Sequence, residues 1–124
     1  MKLQKPNNDK SYCLGIESTA DDFSVGILSF DGKALANVIS VFMPEEGGIH
    51  PREAARHHAE VAGKVIAEAF QKAGIGPNEV KVIAFSQGPG LGPCLRTGAT
   101  AARALATYLG VPLVGVNHCI AHIE

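Results

Sequence analysis

Apolar positions follow a two-residue or continuous strand-like pattern first and a helical one later. "YCLGI" (Tyr12–Ile16) is a compact apolar run that reads as a strand. The polar turn "ESTADD" (Glu17–Asp22) follows it, then a second strand, "FSVGIL" (Phe23–Leu28). "FDG" (Phe30–Gly32) supplies the Asp-Gly of a hairpin turn, and "KALANVISVF" (Lys33–Phe42) reads as a third strand. After the loop "PEEGGIHP" (Pro44–Pro51) the period changes. From Arg52 to Ala73, positions Ala55, His58, Ala62, Ile66, Ala69 and Ala73 form one stripe. Glu53, His57, Glu60, Lys64 and Glu68 form the other side, with Glu60 and Lys64 spaced for an i,i+4 ion pair. Pro51 suits the first turn of this helix and Gly74 its end.

"EVKVIAFS" (Glu79–Ser86) predicts a buried strand. "QGPGLGPCLRTG" (Gln87–Gly98) reads as a glycine- and proline-rich loop. "TAARALATYL" (Thr100–Leu109) predicts a helix stopped by Gly110, "VPLVGV" (Val111–Val116) a short strand, and "NHCIAHIE" the opening of another helix. The order is β-β-β-α-β-α-β-α. It predicts an α/β fold whose mixed five-stranded sheet has three antiparallel strands followed by two parallel ones.

Residues 1–10 form a polar leader without an apolar h-region, and residues 11–124 suffice for one domain. Eleven Lys and Arg against twelve Asp and Glu give a formal charge of −1. That is no electrostatic footprint for nucleic acid, so an RNA partner would need positive charge from elsewhere. The three cysteines, Cys13, Cys94 and Cys119, form no C-x-x-C pair. With no signal peptide in view, reduced thiols in a cytoplasmic protein are expected. No stretch approaches the roughly 18 apolar residues of a membrane span, so no membrane association is expected.

Four stretches can carry chemistry. In "GIESTADD", Glu17, Ser18, Thr19, Asp21 and Asp22 gather in one turn. Hydroxyls and backbone N–H groups there can hold phosphate oxygens, and the carboxylates can hold a cation or water. These are also ordinary turn residues. In "GGIHPREAARHH", His57 falls on the polar side and reads as solvated, whereas His58 on the alanine stripe reads as a hydrogen-bonded core residue.

"SQGPGLGPCLRTG" follows a strand and precedes a helix, and Gly88 and Gly90 let backbone approach a ligand there. It lacks the Gly-Lys-Ser/Thr of a Walker loop, and proline stands where a dinucleotide-binding helix would open. Arg96 suits either a phosphate or a surface ion pair. In "NHCIAHIE", His118 and His122 stand four apart, on one helix face, and can grip one metal ion. Cys119 points about 100° away from His118. Because Cys119 stands where H-E-x-x-H needs glutamate, the base of a zinc protease is absent. Two ligands leave the site open, and a third must come from outside these residues.

Together, "LGIESTADDFSVGI", "GGIHPREAARHHAE", "GPGLGPCLRTGATAARALA" and "VNHCIAHIE" resemble the N-terminal half of the TsaD family. In archaea and eukaryotes this family is the catalytic subunit of the KEOPS complex. The resemblance runs from about Tyr12 to Glu124. It implies an actin-like ATPase (ASKHA) fold whose first lobe is RNase H-like. It implies the transfer of threonylcarbamoyl from threonylcarbamoyl-AMP to the N6 amine of the adenosine 3′ of the anticodon in tRNA. By the same resemblance, His118 and His122 hold Fe2+ or Zn2+ together with an aspartate of the second lobe. "ESTADD" becomes the first phosphate loop, with Glu17, Ser18, Thr19, Gly88 and Gly90 at the adenine nucleotide. Asp21 and Asp22 match an acidic pair that orients substrate. The implied partners are tRNA and other KEOPS-type subunits: a small dimerising subunit on the helices of this lobe and an atypical kinase. Family members have two lobes, so the second would lie outside these 124 residues, and this chain alone is expected to be inactive. The competing readings are a non-catalytic interaction module and another ASKHA protein such as TsaB or a sugar kinase.

Overall fold

A computed structural model describes residues 11–18, 22–41, 51–88 and 92–117. Five strands and two helices build it: β1 (Tyr12–Glu17), β2 (Asp22–Ser29), β3 (Ala34–Val41), α1 (Pro51–Ala73), β4 (Val80–Gly88), α2 (Gly92–Leu109) and β5 (Leu113–Asn117). The sheet order is β3-β2-β1-β4-β5. β1 pairs antiparallel with β2 and β2 with β3, whereas β4 runs parallel to both β1 and β5. This is the mixed sheet that the pattern predicts. The final helix expected over "NHCIAHIE" lies outside the described residues, apart from Asn117, which ends β5.

Alternation decides which side of each strand is covered. Leu14 and Ile16 on β1, Phe23, Val25 and Ile27 on β2, Ala36 and Val38 on β3, and Ile83 on β4 are buried in one core. α1 packs on β2 and β3, and α2 on β4 and on α1. α2 buries Cys94, Gly98, Ala102 and Ala106. All four are small and four residues apart, so they share a face and let the helix lie close to the sheet. The helix ends in a Schellman motif: Gly110, with φ +69°, donates its N–H to the Thr107 carbonyl, and Val111 donates to Ala106. Gly74, with φ +71°, closes α1 as expected.

Several expectations are corrected. α2 begins at Gly92, so Gly92–Gly98 is helix where a loop was expected. Pro93 sits in the first turn, where its fixed φ suits a helix and its absent N–H has no intrahelical partner to lose. β4 continues through Gln87 and Gly88. Asp22 opens β2, opposite Val41, where a polar turn was expected.

Among the described residues of α1, Ala54, His58, Val65 and Ala69 are buried, with Val61, Ala62, Ile66, Phe70 and Ala73 packed alongside. The stripe is therefore centred nearer Val65 than the alanine count suggests. The ion pair that forms on this helix joins Glu68 and Lys72 at 3.4 Å, two turns beyond Glu60 and Lys64. His58 is fully buried, with its ring centroid 5.7 Å from that of Phe23. His57, expected to be solvated, instead shares a hydrogen bond between its Nε2 and Ser40 Oγ at 3.1 Å.

Half-burial on the face of the sheet away from α1 and α2 raises the Cys13 thiol above its ordinary value of 9.0, because thiolate is disfavoured away from water. Folding thus binds a proton that the unfolded chain releases first. Stability from this group is level below pH 9.0 and falls as pH climbs from there toward the folded value. Alkylation of Cys13 by iodoacetamide at pH 8 is expected to run several-fold slower in native than in urea-unfolded protein, as mass spectrometry would show. Equal rates would contradict this assignment.

Candidate phosphate and metal edge of the sheet

Because β1, β4 and β5 run parallel, their carboxyl ends share one edge of the sheet. β2 begins at the same edge with Asp22, and β3 finishes there with Val41. In parallel α/β sheets this edge is where ligands bind. Here it gathers Glu17 at the end of β1, Ser18 after it, Gly88 at the end of β4 and the N-terminus of α2 at Gly92. Helix N-termini in general favour anions.

Ser18 is the best-anchored of these residues. It is 1% exposed. Its backbone N–H donates to Ser86 Oγ at 3.2 Å, and its own hydroxyl donates to the Cys94 carbonyl at 2.8 Å. The last paired residues of β1 and β4 are Ile16 and Phe85, so Ser86 Oγ takes over where the backbone ladder stops. Gly98 makes the approach possible: a Cβ there would lie 2.8 Å from the Ser18 Cβ. Gly88 has φ +146°, a conformation that side chains rarely adopt, and it sits where the β4–β5 register shifts.

On the face of the sheet away from α1 and α2, Gly15, Glu17, Ser24, Gly26, Ala84 and Ser86 line a groove of about 360 Å³. Glu17 is half-buried there, and Asp22 is exposed. β5 ends at this edge with Asn117, the residue before His118 in the sequence. Thr19, Asp21, Gly90, His118 and His122 lie outside the described residues. Among the described residues no group of three or more His, Cys, Asp or Glu is placed to hold a metal. The structure therefore brings Glu17, Ser18, Asp22 and Gly88 to one edge.

Ser86, Cys94 and Gly98 were not singled out for this site from the sequence. Their only signal was position, a strand end followed by a glycine-rich helix start, and nothing local distinguishes them from packing residues.

The model of the family described as "TsaD: tRNA N6-adenosine threonylcarbamoyltransferase" matches residues 33–124. The chain belongs to the TsaD family. A relative from Ignicoccus hospitalis, named tRNA N6-adenosine threonylcarbamoyltransferase, is 56% identical over 113 residues. That match takes in 91% of this chain and 34% of the relative. A Thermofilum pendens protein of the same name is 59% identical over 111 residues, 90% of this chain and 33% of its own length. A Methanosarcina mazei protein, named a probable bifunctional tRNA threonylcarbamoyladenosine biosynthesis protein, is 58% identical over 119 residues. There the match takes in 93% of this chain and 21% of the relative. The chain thus spans between a fifth and a third of these relatives.

Among solved structures, YeaZ from Pseudomonas aeruginosa superposes with a TM-score of 0.68 at 24% identity, over 86% of this chain and 43% of that one. RuvC from Thermus thermophilus in complex with a Holliday junction superposes with a TM-score of 0.55 at 14% identity, over 88% and 66%. These likenesses concern the fold, which is RNase H-like in the manner of the ASKHA proteins.

Proposed function

We propose that this chain is the first lobe of an enzyme that transfers threonylcarbamoyl from threonylcarbamoyl-AMP to the N6 amine of the adenosine 3′ of the anticodon in tRNA. One observation carries the reading. In a TsaD-family chain, the buried Ser18, the positive-φ Gly88, the start of α2 and the end of β5, next in sequence to His118, share one sheet edge. Glu17, Ser18, Thr19, Gly88 and Gly90, with the start of α2, would hold the adenylate. Asp21 and Asp22 would orient the substrate.

In the transfer, the N6 amine bonds to the carbamoyl carbon. The bond from that carbon to the phosphate oxygen breaks, AMP leaves with the electron pair, and the amine gives up one proton. The donor set of His118 and His122, two imidazoles four residues apart in the sequence, suits Fe2+ or Zn2+ completed by a carboxylate from the second lobe. When bound, such an ion would supply Lewis acidity toward the carbamoyl oxygens.

The near-neutral charge of this chain supports placing most tRNA contacts elsewhere in the assembly. A shallow groove between α1 and α2, lined by Ala59, Ala62, Arg96, Thr97, Thr100 and Ala101, supports docking of the small dimerising subunit. Small side chains there let a partner helix come close. The atypical kinase would join the same complex or be fused to the chain, and the compartment would be the cytoplasm. No described helix is long and apolar enough to cross a membrane.

The test is transfer itself. The full-length gene product, with its complex, is incubated with tRNA and radiolabelled threonylcarbamoyl-AMP. Label is expected in tRNA, and a His118→Ala variant is expected to incorporate less than about one hundredth as much. Equal incorporation by the variant, or none by the wild type, would overturn the proposal.

A further inference from the structure

We draw no further inference here: the strongest candidate, the groove that Gly15, Gly26 and Ala84 line beside exposed Leu28 on the face of the sheet away from α1 and α2, carries nothing because nothing in the structure shows what covers it.

Discussion

Replacing Phe23 with alanine is expected to cost about 3–5 kcal/mol of folding stability. The ring is fully buried at the start of β2, between the sheet and α1, and meets the His58 ring at 5.7 Å. Truncation loses the transfer free energy of the ring and leaves a cavity that two packed layers cannot collapse to fill. A domain of this size has roughly 5–15 kcal/mol to lose. The midpoint of thermal unfolding, followed by circular dichroism, is expected to fall by something on the order of 10–20 °C. Phe30→Ala is the control. Phe30 is 63% exposed in the hairpin turn, and its removal is expected to change stability by no more than about 0.5 kcal/mol. Similar losses at both positions would contradict the placement of the core.

Removing either histidine of the "NHCIAHI" motif is expected to have the largest effect on the site. In the full-length protein, His118→Ala and His122→Ala should each weaken iron or zinc binding by more than about 100-fold, since second-shell losses alone reach that range. Cys119→Ser should retain the metal, because its side chain would point about 100° away from that of His118 on a helix. Elemental analysis after gel filtration reads both outcomes. Loss of metal from the cysteine variant, with retention in the histidine variants, would place the site elsewhere.

Much of the fold is legible in the sequence because strand burial here alternates cleanly. Leu14 and Ile16, or Val25 and Ile27, face one side, and the residues between them face the other. Hairpin chemistry at Asp31-Gly32 and the helix stops at Gly74 and Gly110 are equally local, and all three appear where expected. The misreading of Gly92–Gly98 has a physical cause. Glycine and proline disfavour helix interiors as isolated residues, yet Pro93 occupies a first turn and Gly98 is required by the close approach of Ser18. Tertiary packing, invisible along the chain, overrides local propensity there. The same holds for Ser86, whose hydroxyl accepts a hydrogen bond from a residue 68 positions away. Val65 became the centre of the α1 stripe because the sheet contacts that face, a fact that residue spacing alone leaves open by one position.

The central claim is that this chain builds part of the site that modifies adenosine in tRNA. Its most direct test is nucleoside mass spectrometry of tRNA from source cells whose gene carries both His118→Ala and His122→Ala. The account predicts that N6-threonylcarbamoyladenosine falls to a few per cent of the wild-type level or less, while the unmodified adenosine at that position rises to match. An unchanged level of the modified nucleoside, with the variant protein as the cell's sole copy, would contradict it.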